Sequence, residues 1–475
     1  MTRKIRKTKI VCTIGPASKT PEMIEALAAA GMNVCRLNFS HEEHKEHLER
    51  ITMIREVADR TGYNLGILLD TKGPEIRVDQ IENGVMDVFE GQVIKLVKET
   101  VVGNSERFSI NPLSVFDDVQ IGHRILIDDG KIAMVIIDKD EHSLTCRIEN
   151  PGVIKTRKGV NVPNVKLSMP FISAKDDADL RFGCRHEVDF IAASFTRRAE
   201  DILAIRKILA EEGQPKIQII AKIENQEGYD NLHEILEVAD GIMVARGDLG
   251  VEVSLAHVPI YQKKIIAAAN EFGKPVITAT HMLESMMANP RPTRAEANDV
   301  ANAVLDGTDA IMLSGESAVG AYPVEAVITM DTIARSIEEI IPYRERLDHA
   351  IKTSKRTIQD SIGISVADSA LNLDEVEAII AFTQGGSTAR RISKFRPPVP
   401  IFAVTFKKRS ARRLLCNWGV VPVFSDIQNE LTNDDALAST VAKTYGIAVG
   451  KQVIITAGYP TGEGTANMMK IIEVK

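Results

Sequence analysis

From residue 9 onward, short runs rich in valine, isoleucine and leucine alternate with longer stretches whose apolar residues recur at helical spacing. Short apolar runs bounded by glycine or proline fit strands buried on both faces, and the intervening period fits amphipathic helices packed on a parallel sheet. Eight runs predict strands: KIVCTIG (9–15), MNVCRLNF (32–39), LGILLDT (65–71), VDFIAASF (188–195), IQIIAKIE (217–224), GIMVARG (241–247), PVITAT (275–280) and AIMLSG (310–315). Helices are predicted at TPEMIEALAAAG, DILAIRKILAEEG and VEAVITMDTIARSIEEI, each with Gly or Pro punctuation. Eight βα units predict an α/β chain closed into a (β/α)8 TIM barrel, assigned to residues 1–73 and 165–345.

The third unit is interrupted. Between Pro74 and Asn164 the period becomes that of short strands and turns, as in GQVIKLV, HRILIDDGKIAMVIID and SLTCRIENPG, which predicts a small all-β domain inserted over 74–164. An insertion after a barrel strand falls on the catalytic face, so its natural role is a lid. From 355 to 475 the alternation resumes with EAIIAFT, VPIFAVT, GVVPVF and KQVIITAG, which predicts a separate doubly wound α/β domain.

Composition narrows the partners. With 44% hydrophobic and 26% charged residues the 475-residue chain reads as globular, and no apolar run approaches the length of a membrane span. A net charge of −7 argues against nucleic acid as a general partner and in favour of small molecules. Five scattered cysteines without CxxC spacing fit neither a disulfide framework nor a zinc site and point to a reducing, cytoplasmic setting. The basic start TRKIRKTK has no apolar signal core and reads as a solvated N-terminus.

Within IQIIAKIENQEG, a buried-strand run, Lys222 and Glu224 project to one face. Burying two charges requires a structural ion pair or a chemical role. Polar residues collect in the same way at other strand ends: Arg36, Asn38, Ser40 and His41; Asp70, Thr71, Lys72 and Glu75, with Arg77 beyond; Arg246 and Asp248; Thr280; Ser314 and Glu316. C-terminal strand ends form the active-site rim of a TIM barrel, so this convergence predicts a site at the barrel mouth. Glu224 and Asp248 are hard oxygen donors suited to Mg2+ with open positions. RGDLG, with Gly247, offers unhindered amides for a substrate carboxylate, and Arg36 with Lys222 suits a phosphoryl group. A Schiff-base lysine is disfavoured, since Glu224 would hold Lys222 protonated.

CTIGPAS, RLNFSH, LLDTKGPEIR, KGVN, AKIEN, MVARGDLG, ATHMLESM, NPRPTRAE, DGTDAIMLSGESA and TQGGSTARRISKFRP together resemble the motifs of the pyruvate kinase family over nearly the whole chain. The resemblance implies phosphoryl transfer from phosphoenolpyruvate to ADP, giving pyruvate and ATP at the last step of glycolysis, with Mg2+ (or Mn2+) and K+ as cofactors. It implies that Arg36 and Lys222 clamp the phosphoryl group and that Glu224 and Asp248 hold Mg2+. Gly247, Asp248 and Thr280 would contact substrate, while Asn38, His41, Arg77 and Lys158 would serve the nucleotide. Asn38, Ser40, Asp70 and Thr71 would form the K+ site, and Thr280 with Ser314 the route of the enolate proton. Relatives with Glu at the position of Glu75 tend to need K+, and a count of carboxylates (Asp70, Glu75, Glu224, Asp248) leaves the rim negative without it.

The turn Thr383, Gln384, Gly385, Gly386, Ser387 and Thr388, before a helix bearing Arg390 and Arg391, resembles the family's loop for an effector phosphate, with Gly385 where Ser is frequent. A phosphorylated allosteric activator and a homotetramer are therefore expected. His281 stands where the family often has Gln, and a chain ending at Lys475 leads us to expect no extra C-terminal phosphohistidine-like domain.

Overall fold

The computed structural model describes residues 5–425, 435–458 and 466–475. All eight expected barrel strands form: β1 (Lys9–Thr13), β2 (Val34–Asn38), β3 (Gly66–Asp70), β4 (Phe190–Ala193), β5 (Gln218–Ile223), β6 (Gly241–Ala245), β7 (Val276–Ala279) and β8 (Ala310–Leu313). They pair in parallel around a closed ring in which β1 meets β8. Helix ends carry the local chemistry that starts and stops them. Helix Pro21–Ala30 begins with Thr20 accepting from Met23 N and Pro21 in its first turn, and ends at Gly31, whose φ of 129° few other residues tolerate. Thr293 and Glu296 form a reciprocal capping box on Arg294–Asp306.

Alternation along the strands decides what faces the barrel axis. Val11, Val34, Leu68, Ala192, Ile220 and Met312 fill the interior. Side chains two residues further on share that inward face at the C-terminal rim: Thr13, Arg36, Asp70, Ser194, Lys222 and Ser314. The interior thus changes from aliphatic to charged within one strand step.

Beyond β3, an eight-stranded sheet running from Ile76–Val78 to Gly159–Asn161 encloses its own core, including Ile94, Phe108, Ile125, Met134 and Cys146. Near the chain's end five strands order as Val420–Phe424, Ile401–Thr405, Val376–Phe382, Gln452–Gly458 and Ala466–Glu473, the last antiparallel. Part of this unit plugs the N-terminal end of the barrel, with Leu415 and Cys416 packed into the barrel interior. Arg412 Nε donates to Asp189 Oδ1 at 2.8 Å, and Trp418 N donates to Asp309 Oδ1 at 3.0 Å.

That plug corrects one expectation. Arg6 and Lys9, read from sequence as part of a solvated start, are buried. Arg6 Nη1 donates to Asp331 Oδ1 at 2.6 Å, and Lys9 Nζ to Val420 O at 2.6 Å. Charge pattern alone missed this because the covering residues lie hundreds of positions away. All five cysteines are buried free thiols. Among the described residues, no helix is long and apolar enough to cross a membrane.

Candidate active site

The rim side chains form a chain of contacts. Arg36 Nε donates to Asp70 Oδ2 at 2.5 Å and its Nη1 to Thr13 Oγ1 at 2.9 Å. Asp70 Oδ1 accepts from Lys222 Nζ and from Ser194 Oγ, each at 3.1 Å, and Lys222 Nζ also donates to Ser194 Oγ at 2.8 Å. Lys222 Nζ then lies 2.9 Å from Glu224 Oε1. Asp70 is therefore a bridge between the two cations, a role not anticipated for a K+ ligand.

Burial opposes charge on each of these groups, and the partners decide the outcome. For Lys222, burial pulls the ammonium down, but Asp70 and Glu224 outweigh it and the lysine stays firmly protonated. For Asp70, burial pushes up, while Arg36 and Lys222 bring it below the usual carboxylate range. Glu224 goes the other way: burial, with Asp248 nearby, overcomes Lys222 and raises it to about 7.

Glu224 is fully buried, with Oε2 accepting from Phe195 N at 2.6 Å. Its Oε1, though close to Lys222, has no hydrogen bond of acceptable geometry among the described residues. Phe195 reaches it from a left-handed backbone, φ 55°, a conformation costly for a bulky residue and kept here by the bond it makes. The Asp248 carboxylate, on helix Arg246–Glu252, makes no hydrogen bond or ion pair among the described residues. A buried oxygen without a hydrogen bond beside an unpartnered carboxylate is the donor set that a hard cation fits. Among the described residues no cluster of three or more His, Cys, Asp or Glu could hold a metal.

Thr280 and His281 both have positive φ, 65° and 53°. Thr280 Oγ1 donates to Ala279 O at 2.7 Å and accepts from Gly247 N at 2.8 Å, so the glycine amide expected to face substrate is engaged by the threonine. Arg246, counted from sequence among the rim groups, turns away to Asp299 (2.7 Å) and Thr280 O (2.6 Å) and braces this turn. Glu316 likewise turns away, accepting from Ser314 N and Leu283 N. Ser314 Oγ is buried with no partner among the described residues.

Thr71 Oγ1 accepts from Ser194 N at 3.1 Å. Asn38 is the register partner of Asp70 and its Oδ1 accepts from Ser40 N, so the four expected K+ residues come from the ends of β2 and β3 and the turns that follow them. Ser194 and Thr13 went unnoticed in the sequence, although the alternation that marked Arg36 and Lys222 marks them equally.

A cavity of about 680 Å3 opens between this rim and the inserted sheet, lined by His41, Arg77, Lys158, Asp248 and Glu252 among others. Arg77 is held by Glu75 at 2.7 Å and Lys158 by Asp128 at 2.7 Å. Four cations (Arg36, Lys72, Arg77, Lys222) thus stand against the four rim carboxylates, and the negative excess counted from the carboxylates alone disappears.

The family profile described as "Pyruvate kinase, barrel domain" matches residues 5–327, and "Pyruvate kinase, alpha/beta domain" matches 360–472. The chain belongs to the pyruvate kinase family. Pyruvate kinases of Staphylococcus haemolyticus and Geobacillus stearothermophilus are each 52% identical to it, over 98% of this chain and 80% of theirs. A crystal structure of a pyruvate kinase from Cryptosporidium parvum superposes with a TM-score of 0.94 at 38% identity, covering 99% of this chain and 96% of that one. As a pyruvate kinase the enzyme moves the phosphoryl group of phosphoenolpyruvate to ADP and yields pyruvate.

In this pyruvate kinase the 383–388 turn is only partly open. Thr383 is buried and its Oγ1 accepts from Gly386 N at 2.9 Å, and Thr388 is buried as well. Gly385 and Ser387 face a crevice of about 700 Å3 that also takes Arg390, Lys407, Lys408, Arg409 and Arg413. Arg391, expected in the anion cradle, instead pairs with Asp360 at 2.6 Å.

Proposed function

We propose that Mg2+ and K+ both serve this pyruvate kinase, that the Arg36–Asp70–Lys222–Glu224 chain carries the transfer, and that a phosphorylated metabolite activates it. The observation that supports this best is the pairing of a firmly protonated Lys222 with a neighbouring carboxylate that lacks a full set of partners.

Phosphoryl transfer asks a protein for positioning and for charge matched to the oxygens as charge moves between them. Arg36 and Lys222, locked by the shared Asp70, present two fixed cations with little freedom left to lose. Glu224 and Asp248 would hold Mg2+, which when bound supplies a Lewis acid for the substrate oxygens. Asn38, Ser40, Asp70 and Thr71 would hold K+. Once the phosphoryl group has left, Lys222 steadies the enolate oxygen. Thr280 and Ser314 would serve the enolate's proton route: Thr280 Oγ1 stands at a positive-φ turn, and Ser314 Oγ is a buried hydroxyl with no partner among the described residues. Arg77 and Lys158 are available to nucleotide phosphates by exchanging Glu75 and Asp128 for them. Gly385, Ser387 and the basic side chains around them form the proposed activator crevice, and we place the enzyme in the cytoplasm as a homotetramer.

A coupled assay for pyruvate, with MgCl2 and KCl varied separately against tetramethylammonium at constant ionic strength, tests the ions. Full turnover without either would overturn this reading. A panel of sugar phosphates and nucleotides, scored for a shift in the phosphoenolpyruvate KM, tests the crevice.

A further inference from the structure

Across the large cavity, Asn161 Nδ2 of the lid sheet donates to Glu252 Oε1 of the barrel at 2.8 Å, while Arg197 on the barrel side donates to Leu167 O and Met169 O beyond the sheet's last strand. Glu252 closes the short helix Arg246–Glu252 that carries Asp248. It forms no ion pair among the described residues. Burial and the nearby Asp248 raise its pKa, and the Asn161 amide only partly offsets them. A carboxylate so placed is poorly solvated and has no cation, so a neutral amide donor is what relieves it.

What Asn161 carries explains why the contact matters. Its strand, Gly159–Asn161, pairs on one side with Ile76–Val78, setting Gly159 against Arg77. On the other side Asn161 faces Leu126 of strand Arg124–Ile127, which leads directly to Asp128, the partner of Lys158. Holding Asn161 therefore places Arg77 and Lys158 together over the barrel mouth. A single hydrogen bond to a neutral donor is also weak enough to break in each turnover, which a buried ion pair is not.

We propose that Glu252 and Asn161 are positioning residues, a latch that sets the lid height at which Arg77 and Lys158 meet the nucleotide phosphates. The proposal rests on the reading of this cavity as the nucleotide cleft.

The test is steady-state kinetics with calorimetry on the full-length enzyme. Asn161→Ala and Glu252→Ala should each raise the ADP KM about tenfold, the loss of one hydrogen bond to a charged group. Phosphoenolpyruvate affinity by calorimetry should change less than about twofold, since its contacts lie on the barrel rim. The double variant should be no worse than either single one, because both remove the same bond. Glu252→Gln keeps an acceptor oxygen and should restore most of the ADP affinity. Additive effects in the double variant, or a parallel loss of phosphoenolpyruvate binding, would mean a general structural role and overturn the latch. Arg77→Ala separates the two levels of the argument. If it raises the ADP KM and the latch variants do not, the latch alone is wrong; if neither does, the nucleotide reading falls with it.

Discussion

Two buried lysines stand at opposite ends of this barrel, and burial treats them alike. Lys222, at the C-terminal rim, meets Asp70 at 3.1 Å and Glu224 at 2.9 Å and is driven toward the charged form. Lys9, at the N-terminal end, donates to the carbonyl of Val420 at 2.6 Å. Burial and the neighbouring Arg6 lower its pKa to about 7. One lysine keeps its charge among carboxylates at the rim, while the other gives up part of its charge to fasten the C-terminal unit under the barrel. The difference lies in the partners, because desolvation penalises both and only nearby carboxylates repay it. A buried charge by itself is therefore a poor mark of an active site, and the carboxylates gathered around it say more. Unpartnered atoms occur at both ends: among the described residues Glu224 Oε1 and Ser314 Oγ at the rim, and Thr8 Oγ1 with Arg396 Nε and Nη1 at Lys9's end, lack hydrogen bonds, although Asp309 there receives Arg396 Nη2, Trp418 N and Val276 N.

The largest effect that sharpens this contrast is expected from Lys222→Met. Loss of a preorganised cation where charge develops should lower kcat by about 10²- to 10³-fold, about 3 to 4 kcal/mol, with phosphoenolpyruvate binding largely retained. Near-normal turnover would remove Lys222 from the chemistry. Lys9→Met is the mirror experiment and should leave kcat within about twofold while changing stability. Because the folded pKa of Lys9 lies near 7 and below its ordinary value, the unfolded chain binds more protons between about pH 7 and 10. Stability of the parent should then rise with pH across that window, by at most about 1.4 kcal/mol per unit from this residue, and denaturant unfolding of Lys9→Met should lack that slope.

The third test concerns Glu224, raised to about 7 in the metal-free protein. A carboxylate must lose its proton to bind a cation, so Mg2+ affinity should fall by up to about tenfold per unit as pH drops below 7. Calorimetry in buffers of different ionisation enthalpy should detect close to one proton released at pH 6 and fewer at pH 8. A pH-independent Mg2+ affinity would place the ion elsewhere. The smallest effect is expected from Ser194→Ala. It removes a hydroxyl shared between Lys222 and Asp70 but leaves their ion pair, which should cost about 0.5 to 1.5 kcal/mol, read as a two- to tenfold loss in kcat.

Much of the candidate site was legible before any coordinates, for a definite reason. Parallel barrel strands are continuous apolar runs, so a polar residue in phase with the interior near a strand's end stands out, as Arg36, Asp70 and Lys222 do. Ser194 and Thr13 obey the same rule, and applying it to β1 and β4 would have found them. The 383–388 turn was less legible. TQGGST looks open, yet Thr383 and Thr388 face inward, and the basic residues that complete the crevice lie some twenty positions on, at Lys407 to Arg413.

The sequence by itself determined the eight barrel strands, the inserted β-rich segment after β3 and the identity of most rim side chains, because strand period and turn chemistry act over a few neighbouring residues. Only the tertiary structure decided who pairs with whom. Lys158 rests on Asp128; Arg246 braces the Thr280 turn instead of lining the mouth; and Arg6 and Lys9 lie buried. Each of these outcomes depends on barrel closure, on the set of the lid or on the plug beneath the barrel. Electrostatic pairing falls off within a few ångströms, so residues far apart in the chain become partners only once the packed layers bring them together.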